Sequence, residues 1–276
     1  MRALAIIAVK EVRDGLRNRW VLAITALLAV LSLSLVFLGS APVGNVGVSK
    51  LAITTVSLSS LSIFLLPLIA LLLSYDALVG EIEAGTMLLL LSYPVTRSQV
   101  LLGKFIGHAA ILLFATVVGY GSAGLAVSLG EPAAAAENWR AFTSMILSSA
   151  LLGAAFLALG YLISASVRQR GAAAGLAVAV WLVFVLLFDL ALLGVLVADK
   201  GQSISASLLN ELLLLNPADA YRLFNLAGLS QASALSGMAG AAAKAGLPRS
   251  ALLAVMAAWI GVPLALAGLI FRRREL

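Results

Sequence analysis

The chain has no cysteine, one histidine and little charge. The missing cysteines exclude disulfides, thiolate metal sites and thiol nucleophiles. An intramembrane enzyme needs clustered His, Glu and Asp or a Ser/His pair, and the sole histidine, His108, near a helix start fits neither well, so no catalytic residue is expected. The five methionines, at 1, 87, 145, 238 and 256, are too dispersed for a soft-metal path. Asp76, Glu81 and Glu83 could hold a hard cation, but they border a basic membrane face and need no ion, so no metal site is expected. No phosphate-cradling loop is present either. The Gly103-Lys104 pair lacks the following Ser or Thr, and Ser98 stands where the first glycine should be. This chain therefore needs no cofactor of its own, and any ATP and Mg²⁺ would be bound by a partner chain.

Only 11% of the 276 residues are charged, while 62% are hydrophobic, with a mean hydropathy of +1.11. A soluble domain carries about 25% charge, so the solvent for most of this chain is lipid. The net charge of +6 does not indicate nucleic acid, because the basic residues flank long apolar runs.

Six such runs are read as membrane spans, giving an all-α membrane protein. They lie at about 20–38, 53–75, 96–129, 142–167, 172–197 and 250–271. Pro67 falls inside the second, where a kink is tolerable in a bundle. Residues 1–19 carry Leu4, Ala8, Val12, Leu16 and Trp20 at four-residue intervals, opposite Lys10, Arg13, Asp14 and Arg17. That pattern predicts an amphipathic helix in the interface, with no signal-peptide cleavage site standing out. Trp139 and Arg140 read as interfacial anchors, and Gly153, Ala154 and Gly160 permit close helix packing. Twelve of the 18 Lys and Arg residues lie at the termini, in 76–104 and at 168–170; the remaining six lie in the opposite loops. Both termini are thus expected in the cytoplasm and the 198–249 segment outside, in a bacterial inner membrane. The expected organisation is one transmembrane domain over 1–276, with 1–19 interfacial, 76–96 a cytoplasmic segment on which another protein can push and 198–249 periplasmic.

The stretch from Tyr75 to Lys104 is too long and too structured for a plain linker. Asp76, Glu81 and Glu83 precede a short apolar run, Met87 to Leu91. Pro94 should end a cytoplasmic helix over about 80–95. Thr96 with Gln99 makes a capping box, and Val95 with Val100 a hydrophobic staple, so the third span should begin there. Glu81 and Glu83 point to different sides of a helix: one toward a partner, the other back toward Arg97, Lys104 or the basic N-terminal helix.

Asp189 lies inside the fifth span, where a carboxylate costs roughly 2.5–3.5 kcal/mol on insertion scales. It is a candidate for substrate, proton or gating contact, or else a hydrogen-bonded group toward the outer end. His108 sits at the wrong end of its span to partner it. Within 198–249, an apolar piece (207–215) is followed by the Asn216-Pro217 breaker and a second helical piece (218–227). The principal rival to a partner-driven permease is an ion- or proton-coupled carrier using Asp189. Such a carrier should show repeated halves, broken helices and several buried charges.

The run Asp76, Gly80-Glu81-Ile82-Glu83-Ala84-Gly85-Thr86, Pro94-Val95-Thr96-Arg97, Leu101-Leu102-Gly103-Lys104 resembles the signature of ABC-2 type permeases, the membrane subunits of type V exporters. The resemblance implies that Asp76, Glu81, Glu83, Gly85, Thr86, Pro94 and Arg97 belong to a coupling helix that docks on a cytoplasmic ATPase. It also implies a homodimer. Ala84 departs from the basic residue common there, which shifts docking toward the carboxylates. More narrowly, Ser74 to Glu81, Leu102 to His108 and Leu215 to Arg222 resemble permeases serving nitrous-oxide reductase maturation. That implies a periplasmic partner, with Asn216, Pro217, Asp219, Tyr221 and Arg222 as candidate contacts, and a role in assembling copper-sulfur centres through export or mechanical signalling.

Overall fold

The computed structural model describes residues 2–38, 49–130, 136–199, 206–226 and 248–275. Among these residues there is no strand. The helices are α1 (Arg2–Arg17), α2 (Arg19–Leu38), α3 (Lys50–Ser74), α4 (Val79–Glu83), α5 (Thr86–Leu91), α6 (Arg97–Gly130), α7 (Ala136–Ser166), α8 (Arg170–Leu182), α9 (Phe188–Asp199), α10 (Ala206–Leu214), α11 (Pro217–Leu226) and α12 (Arg249–Arg273). A π-helical turn, Val183–Leu187, joins α8 to α9, giving one continuous helix from Arg170 to Asp199. Among the described residues six helices are long and apolar enough to cross a membrane, and they coincide with the six runs read from the sequence.

The spans are apolar all round, as membrane helices must be, so small residues and hydroxyls decide which faces meet. Span α7 is the hub: 72% of its most apolar stretch is buried, against 11% for the α8–α9 span. It packs mainly on α3 and α12. A Cβ on Gly160 would strike Ser74, and one on Gly153 would strike Leu112, so both glycines let α7 lie close to α3 and α6. On α6, Gly119 lies against Leu28 of α2, and the Ser32 hydroxyl donates to the Gly119 carbonyl at 2.7 Å.

The end of the bundle carrying α1 and the end of α12 is called the near end here. Helix α1 is amphipathic and packs along α6 there. Gly103 and Gly107 of α6 make room for it: a Cβ at 103 would sit 2.8 Å from Ile7, and one at 107 would sit 2.5 Å from Glu11 and 3.0 Å from the Ala8 carbonyl. The face of α1 turned to the protein is Leu4, Ile7, Ala8, Glu11 and Gly15, while Leu16 and Trp20 of the expected stripe are exposed. The four-residue register misses this because it follows apolarity, whereas the packed face contains a buried glutamate and a glycine.

The expected single helix over 80–95 is two short helices. Gly85 adopts φ +73°, a left-handed conformation that breaks the chain between α4 and α5 and that glycine adopts without the steric cost of a Cβ. The start of α6 follows the capping signal: the Gln99 side-chain oxygen accepts from the Thr96 N–H at 3.0 Å, and the Thr96 hydroxyl accepts from the Gln99 N–H at 3.3 Å.

The segment expected outside, 198–249, contains helices α10 and α11. Helix α11 packs on α12, α7 and α3. Its Tyr221 hydroxyl is 2.8 Å from Ser149, near the midpoint of α7, and Ser149 in turn reaches Ser62, midway along α3. So α11 enters the bundle to the middle of its spans. The physical reason is its face of Tyr221, Phe224 and Asn225, which pairs apolar bulk with hydroxyl and amide partners inside. The rest of that segment, 200–205 and 227–247, lies outside the described residues.

Candidate functional site

The near-end site is built around Lys104, four residues before His108 on α6. Its side chain is only 6% exposed, and its Nζ donates to Glu11 of α1 at 2.9 Å and lies 2.7 Å from Glu81 of α4. One buried cation thus holds two carboxylates on two different helices. The second oxygen of Glu81, Oε2, is buried and has no hydrogen-bond partner among the described residues. His108 Nε2 sits 3.6 Å from Glu11, and its Nδ1 is 2.9 Å from the Tyr161 hydroxyl of α7. Burial alone would raise the Glu11 pKa, but the Lys104 charge and hydrogen bond, with smaller help from His108 and Lys10, hold it below the ordinary 4.5. Glu11, Glu81, Lys104 and His108 line a cleft of about 670 Å³ that also takes in Asp14, Asn18, Trp20, Asp76 and Arg170.

Arg170, at the start of α8, clamps the other side of α4. Its guanidinium donates to Asp76 at 3.1 Å and its backbone N–H to Glu83 at 3.1 Å. It lies flat across Gly80, where a Cβ would come within 2.8 Å of its nitrogens. Gly80 is therefore required for close approach, and the sequence reading passed over it.

Of the seven residues assigned to the coupling segment, Asp76, Glu81 and Glu83 are held by partners within the chain. Gly85 is the hinge between α4 and α5, and the Thr86 hydroxyl donates to the Glu81 carbonyl at 3.2 Å. Pro94 is exposed just before α6. Arg97 faces another way: its Nη1 donates to the carbonyls of Phe271, Arg272 and Arg274 at 2.8, 3.1 and 2.6 Å. It closes the end of α12, whose last carbonyls lack helical donors. The large apolar residues of this stretch that face outward are Leu88, Leu89 and Tyr93, 57%, 68% and 68% exposed, while Met87 is buried.

Asp189 is not isolated. Arg222 of α11 donates to it at 2.9 Å and to Asp219 at 2.6 Å. The Asn216 side chain donates to Asp219 at 2.9 Å and to the Phe184 carbonyl in the π-helical turn at 2.8 Å. The structure places the expected partner contacts Asn216, Pro217, Asp219 and Tyr221 inside the bundle. All four are buried, because α11 uses them to fasten itself to the spans; only Arg222 is part-exposed.

A model of the ABC-2 family transporter proteins matches residues 5–276. The chain belongs to the ABC-2 transporter family. It is 49% identical over 269 residues to a probable ABC transporter permease protein NosY of Stutzerimonas stutzeri, covering 97% of each chain. It is 51% identical over 271 residues to the protein of that name from Pseudomonas aeruginosa, covering 98% of each. An ABC-2 permease is the transmembrane subunit of a transporter, and the six apolar helices agree with a multi-pass membrane protein.

Proposed function

We propose that this chain couples ATP hydrolysis on a separate cytoplasmic subunit to movement of its membrane helices, with α4 and α5 as the docking element. The observation that carries this reading is the Glu11–Lys104–Glu81 bridge, which fastens α4 to two other near-end helices while leaving Leu88, Leu89 and Tyr93 exposed. An exposed apolar patch rimmed by polar residues marks a partner surface. The near end then faces the cytoplasm, in keeping with the basic residues at both termini.

Similarity to the NosY permeases extends the reading to an ATPase like NosF, a periplasmic partner like NosD, a homodimer, and copper-sulfur centre assembly in nitrous-oxide reductase. The output is export or mechanical signalling across the membrane. A proton-coupled carrier using Asp189 fares worse, because that carboxylate is engaged by Arg222.

The test is purification of the tagged chain from its native membrane. Leu88→Arg with Leu89→Arg removes no packed side chain, so the variant should accumulate and melt like the parent yet lose the ATPase. Retention of the ATPase by that variant, and by Glu81→Ala/Glu83→Ala, would refute docking through this element.

A further inference from the structure

The N-terminus of α4 is not capped by its own sequence. Residue 78, at the cap position, is a leucine with no side-chain acceptor, and the first amides of a helix lack internal partners. The acceptor comes from a different span. The Ser164 hydroxyl, two residues from the end of α7, accepts from the N–H groups of Leu78 and Val79, both at 3.0 Å. All three residues are fully buried, so water cannot replace that acceptor. Halfway along the same helix, Ser149 is 2.8 Å from the Tyr221 hydroxyl, and Ser148 exchanges hydrogen bonds with the Asn225 side chain at 3.1 and 3.2 Å. Tyr221 and Asn225 lie one turn apart on a single face of α11.

The two joints are 15 to 16 residues apart, about 23 Å along a helix at 1.5 Å per residue. Between them α7 has neither proline nor π-helical turn, unlike α3 with Pro67, α12 with Pro263 and the α8–α9 span. We infer that α7 is the strut that carries displacement of α4 to the inserted helix α11, and that Ser164 is the positioning residue of its cytoplasmic joint. This rests on the coupling role proposed for α4. It adds the route: motion reaches the far side through a stiff span hydrogen-bonded at one end to the docking element and at its middle to α11.

The chain has no native cysteine, so spin labels can be placed singly. Leu129→Cys on α6 and Leu215→Cys just before α11, 86% and 59% exposed, report the position of α11 by pulsed EPR in the complete complex in lipid nanodiscs. In the parent, trapping the ATPase with nucleotide should change the label distance. Ser164→Ala removes the acceptor, and Tyr221→Phe removes only the mid-span hydroxyl. Each should reduce that change by at least half while ATP hydrolysis stays within twofold and the ATPase stays bound. Ser164→Thr, which keeps the acceptor, should restore more of it than alanine does. An undiminished change in both Ser164→Ala and Tyr221→Phe overturns the strut and leaves the coupling role standing. A parent that shows no nucleotide response with its ATPase bound overturns both.

Discussion

Replacing Lys104 by methionine isolates what the near-end bridge contributes. The side chain keeps an unbranched apolar stem, one atom shorter, and loses the charge. At the observed 2.7 and 2.9 Å, each ion pair has a gross attraction of about 6 kcal/mol at an effective dielectric near 20. Desolvating three charged groups offsets most of that. The substitution is nonetheless severe, because Glu81 loses its cation and Glu11 keeps only the exposed Lys10, 3.6 Å away, and removing one partner of a buried pair costs about 3–5 kcal/mol. Lys104→Met should therefore lower the thermal midpoint in detergent by on the order of 10 °C. The triple variant Glu11→Gln/Lys104→Met/Glu81→Gln leaves no charge unpaired and should regain most of the loss. It should still fail to couple, since α1 and α4 no longer share an ionic tie. Both midpoints can be read by scanning fluorimetry, with ATPase stimulation measured beside them. A Lys104→Met midpoint within about 2 °C of the parent, or a triple variant less stable than the single one, would refute the reasoning and assign the carboxylates to water in the adjoining cleft.

Lowering the pH probes the same bridge. The Glu11 pKa is held below 4.5 in the folded chain, so its contribution is complete above about pH 4.5 and lost as the pH falls through the folded value. Melting curves between pH 7 and 3.5 should fall only at the acid end, whereas Lys104→Met should lose stability at higher pH. Gly107→Ala places a methyl 2.5 Å from Glu11 Cβ and 3.0 Å from the Ala8 carbonyl; it should cost about 1–3 kcal/mol and expose α1 to protease. Arg97→Gln strips the donor from three carbonyls at the end of α12, and faster hydrogen exchange at 270–275 is the expected readout. Asp189→Asn keeps a hydrogen-bond acceptor for Arg222, so an ATP-coupled permease should retain activity within threefold, whereas a proton-coupled carrier should lose it.

The spans were legible because a 20-residue apolar run in a chain with 11% charge has few alternatives. The start of α6 was legible for a different reason: a capping box is local chemistry, and Thr96 with Gln99 needs no knowledge of the rest of the fold. What could not be read were the contacts between distant residues. Glu81 was assigned either to a partner or to a set of basic residues that included Lys104. Sequence spacing could not choose between these, since the answer depends on Gly103 and Gly107 bringing α1 onto α6 so that Glu11 shares the lysine. Gly80 stood in the family-like run without a role of its own, and Ser164 gave no signal at all. A glycine in a short helix and a serine near the end of a span are ordinary until Arg170 is seen lying on one and two buried amides on the other.

Helix α11 shows the same limit from the opposite side. Its Asn216, Asp219 and Arg222 are polar and follow a loop, which in water would mean exposure. In this bundle each polar group has a designated partner: the Phe184 carbonyl in the π-helical turn, Asp189, and the Ser148 and Ser149 hydroxyls for Asn225 and Tyr221. Polarity in a chain of this hydropathy marks where two elements must find each other, because an unsatisfied group in hydrocarbon is costly. Asp189 looked like a lone charge for that reason. It is one side of a pair whose other side, Arg222, lies 33 residues later, on a helix whose insertion depth no periodicity reveals.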